Sequence, residues 1–184
     1  MSRIDPVDIN KAGEPLREAF EKHCADDNAR ITNMKATLGH SLTAFQVYMQ
    51  WYPLYREVQQ IIGERMSYLY AHAISLSANC PLCTMYFRKV IIDAGEIPEN
   101  LEVNPEEQKL LDFGAAIAAN NGIINDDVFI PVSKNHSDKE MVTLIAFAGQ
   151  MIATNIFNNV IDTNIDDYLQ NYLPLPPQKN IHGK

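Results

Sequence analysis

The sequence predicts an all-α protein built as one compact helical domain. Three observations indicate this fold class. The 184 residues include only eight glycines, and the apolar residues of the long segments recur every three or four positions instead of alternating. Two of these segments also begin with the side-chain pattern of a helix capping box. A chain of this length buries enough surface to fold without a metal or a disulfide.

Residues 1–30 are expected to form an N-terminal arm with one helix. Pro15 suits the first turn of that helix, and Leu16, Phe20 and Cys24 follow at positions i, i+4 and i+8. This spacing predicts that Cys24 is a buried, small apolar residue and not a reactive thiol. We expect the arm to contact a neighbouring subunit.

The next helices are predicted over residues 41–52 and 63–78. Both have apolar residues at helical spacing, and Pro53 is expected to kink or end the first. The chain then breaks at Pro81, and a new helix follows. Gly95 is expected to close that helix, because glycine tolerates the left-handed conformation found just after a helix end.

Two further helices have well-marked starts. The segments 104–107 (Asn-Pro-Glu-Glu) and 137–140 (Ser-Asp-Lys-Glu) each combine an N-cap side chain with a glutamate three residues later. Asn121-Gly122 ends the first of these helices. Residues 123–132 are the one β-like stretch, predicted as a loop or short turn. The Pro-rich tail, residues 173–184, is expected to run along a surface without helix.

Composition excludes several classes of protein. The net charge is -8 and no run of Lys or Arg occurs, so we do not expect the protein to bind nucleic acid. No apolar run reaches 18 residues, and the N-terminus lacks the apolar region of a signal peptide. Three cysteines are too few and odd in number for a secreted disulfide framework. We therefore expect a cytoplasmic protein with reduced thiols, no membrane contact and no bound cofactor.

The chemistry-bearing motif is Cys80-Pro81-Leu82-Cys83. With Cys80 as the N-cap, Pro81 occupies the first helical position and Cys83 lies one turn along. Both sulfurs are then expected to face the free N–H groups and the positive end of the helix dipole, which favour thiolate over thiol. A two-residue spacer also allows a reducible disulfide to close between them.

Other interpretations of the motif stay open. A Cys-x-x-Cys pair can be half of a zinc site, for which His23-Cys24 would be the only other ligand pair. The two cysteines can also be ordinary core residues. A dithiol peroxidase needs a proton donor, and Glu64, Tyr68 and His72 share a helix face that leads towards Cys80. The competing interpretation of this face, which we call the Glu64 stripe, is structural: Tyr68 is then a core residue and His72 a buried, hydrogen-bonded histidine.

At residues 73–83, Ala-Ile-Ser-Leu-Ser-Ala-Asn-Cys-Pro-Leu-Cys, the sequence resembles the carboxymuconolactone decarboxylase superfamily, specifically its AhpD-like alkylhydroperoxidase branch. The resemblance extends over residues 36–163. It includes the helix start at 110–113, the capping box at 137–140, and Asn155 and Asn158 near the end of the last long helix.

The resemblance implies an AhpD-like domain over residues 31–172 that assembles into trimers or hexamers. It also implies peroxide reduction by the cysteine pair, with Cys83 attacking the peroxide and Cys80 resolving the product. A thiol or lipoyl-type electron donor would then restore the thiols. The helix-cap argument taken alone favours Cys80 as the nucleophile, since it is expected to be the more exposed thiol.

Two residues depart from the branch's pattern. Tyr68 stands where the branch has a glutamate, twelve residues before the first cysteine. Phe87 stands where it has a histidine, four residues after the second. Glu64 and His72, one turn to either side of Tyr68, are the expected substitutes as proton donors.

The leading functional prediction is reduction of hydrogen peroxide or small organic hydroperoxides. A reductase of protein or small-molecule disulfides using the same dithiol and a non-catalytic oligomeric scaffold are the alternatives. A lactone decarboxylase ranks last, because Arg65 and Arg88 are the only cations expected near the dithiol. The helix from Met141 to Ile161 is apolar on more than one face, which independently favours a homo-oligomer.

Overall fold

The computed structural model describes residues 2–173, and this part of the chain is helical without a strand. The predicted all-α fold class is confirmed. Most of the predicted tail, residues 173–184, lies outside the described residues. The helices are α1 (Glu14–Asp26), α2 (Asn33–Leu38), α3 (Leu42–Met49), α4 (Trp51–Ser77), α5 (Pro81–Asp93), α6 (Pro105–Ala119), α7 (Asp126–Ser133) and α8 (Asp138–Ile161), with 3₁₀ turns at Ile9–Lys11 and Asp167–Tyr172.

Helix α4 is the centre of the molecule and packs against α5, α6 and α8. Its inner face carries Leu69, Tyr70 and Ile74, all fully buried. The closest approach is to α6 at Gly114, where a Cβ atom would lie 2.3 Å from the Tyr70 ring. Glycine therefore allows the two helices to pack with the tyrosine ring between them.

The N-terminal helix α1 packs on α3. Phe20 of α1 is buried against Leu38 and Phe45 and meets the Phe45 ring edge-on, with centroids 4.9 Å apart. Cys24 is only half-buried, so the prediction of a buried Cys24 is corrected. The buried position in that turn belongs to His23, because the core-facing side of α1 continues from Phe20 by three residues and not by four.

The region around Pro53 also differs from the prediction. Helix α3 ends at Met49, and Pro53 lies in the first turn of α4, where the missing N–H costs no intrahelical hydrogen bond. The predicted start at Gly63 is instead a kink inside α4, with φ 78° and ψ 162°. Glycine reaches this conformation without the steric cost that a side chain would impose.

The prediction of a loop or short turn within residues 123–132 was wrong. Helix α7 occupies Asp126–Ser133 and packs on α6. Its Val128 and Phe129 pack against the main core, and Val132 is buried in it. This packing stabilises a short helix that local sequence preference alone does not predict.

Candidate functional site

The turn between α4 and α5 places the two cysteines. Helix α4 ends with Asn79 in the left-handed conformation (φ 50°), and the backbone N–H of Cys80 donates to the carbonyl of Ser75 at 3.1 Å. This is the hydrogen-bond pattern of a Schellman motif, which closes one helix and turns the chain sharply. From α8, Asn159 Nδ2 donates to the carbonyls of Ala78 and Asn79 and so holds the turn in place.

Cys80 is the N-cap of α5, as predicted. Pro81 opens the helix, and the backbone N–H of Cys83 donates to Cys80 Sγ at 3.5 Å. The expectation that Cys80 is the more exposed thiol is corrected, because Cys80 is 1% exposed and Cys83 is 7% exposed. The N-cap sulfur is turned inward against Leu169 and Met85.

The two sulfurs have different electrostatic environments. A hydrogen bond from the Cys83 thiol lowers the pKa of Cys80, and the backbone N–H groups of Cys83 and Leu82 lower it further against the opposing effect of burial. Hydrogen bonding to Cys80 and burial together raise the pKa of Cys83 well above its ordinary value. The first negative charge on the pair therefore belongs to Cys80.

Asn158 of α8 contacts the second sulfur directly. Its Nδ2 donates to Cys83 Sγ at 3.2 Å and to Met34 Sδ at 3.4 Å. Asn158 is itself buried, so this contact lies out of water. An amide N–H directed at a sulfur stabilises negative charge there. The resemblance had placed Asn158 in the pattern without assigning it a role.

Cys83, but not Cys80, faces a cavity of about 110 Å³. That volume is several times the ~10–15 Å³ that one buried water requires, so a small organic molecule fits. The cavity is lined by Thr32, Met34, Lys35, Tyr48, Met49, Trp51, Tyr52, Leu82, Cys83, Tyr86, Phe87, Met151, Thr154, Asn158, Asp166, Tyr168 and Leu169. We call it the Cys83 cavity.

One wall of the Cys83 cavity carries a buried cation. Lys35 is 5% exposed, and its Nζ donates to the Arg30 carbonyl at 2.9 Å and to the Tyr52 hydroxyl at 2.8 Å. Burial lowers its pKa to about 8. Asp166 also lines the cavity, and its carboxylate accepts the backbone N–H of Asn33 at 2.8 Å.

Tyr68 lies away from the dithiol. Its hydroxyl donates to Glu96 Oε1 at 2.8 Å, and Glu96 pairs with Arg65 at 2.6 Å. Burial and the Glu96 carboxylate raise the pKa of Tyr68 to about 12. Glu96 follows the C-terminal end of α5, whereas Cys80 caps its N-terminal end. Because α4 and α5 pack antiparallel, Tyr68 lies near the end of α5 that is opposite to the two sulfurs.

Glu64 and His72 do not line the Cys83 cavity either. Glu64 is exposed on the surface of α4. His72 is buried, and burial together with the nearby Arg88 lowers its pKa to about 4. Neither residue has a described hydrogen bond to Cys80 or Cys83, so their role as proton donors stays a prediction.

The cations expected near the dithiol are also placed differently. Arg65 is occupied by Glu96 and Glu107, and Arg88 by Glu99 and the Tyr172 carbonyl. Lys35 supplies the positive charge of the cavity instead. No local pattern marks it, because α2 is too short to show a helical repeat.

No family model matches the sequence, and no curated protein matches it. Solved structures do match. The fold is similar to that of an AhpD-core protein from Ralstonia eutropha JMP134 described as an uncharacterized peroxidase-related protein, with a TM-score of 0.69, 14% identity and coverage of 91% of this chain and 94% of that one.

Two further structures have the same fold. One is an uncharacterized peroxidase-related protein from Silicibacter sp. TM1040, with a TM-score of 0.63, 15% identity and coverage of 91% of this chain and 94% of that one. The other is the debrominase Bmp8, with a TM-score of 0.65, 14% identity and coverage of 94% and 96%. The AhpD-like fold implied by residues 73–83 is therefore confirmed, and identity this low speaks for the fold alone.

Proposed function

We propose that this protein is a dithiol peroxidase that reduces hydrogen peroxide or small organic hydroperoxides through Cys80 and Cys83. The observation that carries the proposal is the placement of Cys83 on the wall of a small cavity, in contact with a second cysteine whose thiolate is stabilised by a hydrogen bond from Cys83 and by the N–H groups of a helix N-terminus. Access from the cavity makes Cys83 the attacking sulfur, in keeping with the resemblance. Cys80 is the resolving sulfur.

The reaction begins with proton transfer inside the pair. The Cys83 thiol passes its proton to the Cys80 thiolate, and Asn158 Nδ2 stabilises the charge that appears on Cys83. Cys83 Sγ then attacks the outer peroxide oxygen, so that an S–O bond forms as the O–O bond breaks. The displaced alkoxide, or hydroxide, takes the proton from the Cys80 thiol, and the products are an alcohol, or water, a sulfenic acid on Cys83 and a thiolate on Cys80.

The cycle closes within the same turn. The Cys80 thiolate attacks the sulfenic sulfur, the S–S bond forms as the S–O bond breaks, and the hydroxide that leaves takes a proton from solvent to become water. A dithiol donor of the thiol or lipoyl type then reduces the disulfide and is itself oxidised. Because the two sulfurs are 1% and 7% exposed, a small oxidant reaches them more readily than the disulfide of a folded protein does. This burial ranks peroxide above protein disulfides as the substrate.

A single-turnover experiment on the reduced protein tests the proposal. One equivalent of cumene hydroperoxide should lower the thiol count from three to one. In Cys80→Ser the reaction should stop at a sulfenic acid that dimedone traps, and in Cys83→Ser fast consumption should be lost. Cys24→Ser is the matched control and should consume peroxide as the wild type does.

Two outcomes would contradict the proposal. If all three thiols survive both peroxide and small disulfides, the protein is a non-catalytic scaffold. If the thiols survive peroxide but are oxidised by small disulfides, the disulfide-reductase alternative takes its place.

A further inference from the structure

The Cys83 cavity contains a feature that peroxide reduction does not require. Its walls are mostly apolar and aromatic, yet Lys35 is buried in one of them. Burying an ammonium group is costly unless its hydrogen bonds are satisfied. Among the described residues, only two acceptors satisfy its three N–H donors, and both are neutral oxygens. One donor of a buried cation thus has no described partner.

The two neighbouring acids, Asp27 and Asp166, do not pair with Lys35 directly. Among the described residues no ion pair within 4.0 Å joins Lys35 to either of them: Asp27 pairs with His23 and Arg56, and Asp166, which also lines the cavity, accepts the N–H of Asn33. The aromatic ring of Tyr52 lies 5.0 Å from Lys35 Nζ and limits access to it from one side. The cavity is therefore a site with a reactive sulfur, an apolar middle and a cation with a spare donor.

We propose that the Cys83 cavity binds organic hydroperoxides that carry a carboxylate, and that Lys35 binds the carboxylate. This proposal deepens the proposed function and rests on it for the reacting end of the substrate. The carboxylate completes the hydrogen bonding of the ammonium group and pairs with its charge, while the hydrocarbon part packs against the aromatic walls. Hydrogen peroxide and neutral hydroperoxides make no such contact.

The chain carries its own reporter for binding. Trp51 is its only tryptophan, and it lines the cavity with its Nε1–H donating to Met151 Sδ at 2.9 Å. A ligand that enters the cavity should change the Trp51 emission. The probes are 4-isopropylbenzoate and the neutral 4-isopropylbenzamide, which share a shape and differ in charge.

We expect the wild type to bind 4-isopropylbenzoate roughly tenfold more tightly than the amide at pH 7, as a charge-assisted hydrogen bond predicts. Lys35→Met keeps the length of the side chain and removes the charge, and it should abolish this preference. Lys109→Met is the matched control, since Lys109 is exposed and pairs with Glu106 on α6. It should keep the preference.

Equal affinity of the wild type for the acid and the amide would overturn the proposal, and this comparison needs no variant to fold. A preference that survives Lys35→Met in folded protein would overturn it as well. As a kinetic check, kcat/KM should be higher for 4-carboxycumene hydroperoxide than for cumene hydroperoxide. If neither hydroperoxide is consumed while the binding preference holds, the peroxidase function fails and the carboxylate site stands.

Discussion

Two cysteines three positions apart experience opposite environments. The Cys80 sulfur accepts from N–H groups of the first turn of α5. Cys83 lies one turn further along the helix, and its sulfur accepts from the side-chain amide of Asn158 on α8. The hydrogen bond from Cys83, supported by the N–H groups of the helix N-terminus, lowers the pKa of Cys80, whereas hydrogen bonding to Cys80 and burial raise the pKa of Cys83. A division of roles between the two sulfurs follows from one turn of helix.

This asymmetry predicts the pH dependence of alkylation. A lowered pKa means that the thiolate is already present at a pH below that at which free cysteine ionises, about 8.5. In a Cys24→Ser background, Cys83→Ser should leave a thiol whose iodoacetamide reactivity rises below that pH, because the serine hydroxyl and the backbone N–H groups of the first turn still donate to Cys80. Cys80→Ser should leave a thiol whose reactivity rises above that pH, because the burial of Cys83 remains. Identical midpoints in the two variants would contradict the assignment.

At the same scale, sequence reasoning located the sulfurs and missed their surroundings. Pro81 marks a helix start by local chemistry alone, so the places of Cys80 and Cys83 in the first turn were predictable. The burial of Lys35 was not predictable, because it depends on the packing of α1, α4 and the segment after α8 around this side chain. Asn158 was noticed through the resemblance, and only the three-dimensional contact assigns it to a sulfur.

Helix starts with side-chain caps were the most predictable elements. In α6 the Asn104 side chain accepts from the backbone N–H groups of Glu106 and Glu107, and the Glu107 carboxylate accepts from the N–H of Asn104. The Ser137–Glu140 box of α8 has the same reciprocal bonds. Helix α7 escaped prediction because its Asn125 makes no side-chain cap and Pro131 lies inside it.

The cap of α6 gives a stability prediction. Asn104→Ala should lower the free energy of unfolding by about 1 kcal/mol, because two N–H donors at the start of α6 lose their acceptor. Asn100→Ala is the matched control in the exposed loop before α6, and it should change stability by less than about 0.5 kcal/mol. Urea denaturation of both variants measures the difference, and equal losses would show that the capping box contributes nothing specific.

At the scale of the molecule, the outer face of α8 carries a row of exposed apolar side chains. Val142, Ile145, Ile156 and Val160 are all exposed there at helical spacing, with Gly149 between them. The opposite face of α8 is buried against α4. By length and composition α8 is also long and apolar enough to span a membrane. Its packing in the core accounts for the apolar residues of the buried face, but not for those of the exposed face.

We propose that this second face contacts other copies of the chain, as the sequence predicted for a trimer or hexamer. The wild type should elute in size-exclusion chromatography with light scattering at a multiple of 20.8 kDa. Ile156→Glu should shift the protein to the monomer mass of 20.8 kDa, because a carboxylate buried in the subunit contact without a partner is costly. Ile123→Glu changes an even more exposed isoleucine between α6 and α7 and should leave the mass unchanged. A monomeric wild type would refute the assembly.

The part of the cavity wall that follows α8 is a short 3₁₀ turn, whereas helices form most of the other walls. The 3₁₀ turn Asp167–Tyr172 places Leu169 over the two cysteines. Polar contacts at its two ends, Asn33 with Asp166 and Arg88 with Tyr172, attach it to the helical body. Detaching this short strap would uncover the thiols while the helices stay folded. We therefore expect the rate of thiol oxidation to follow a local opening of the strap, which costs less free energy than global unfolding.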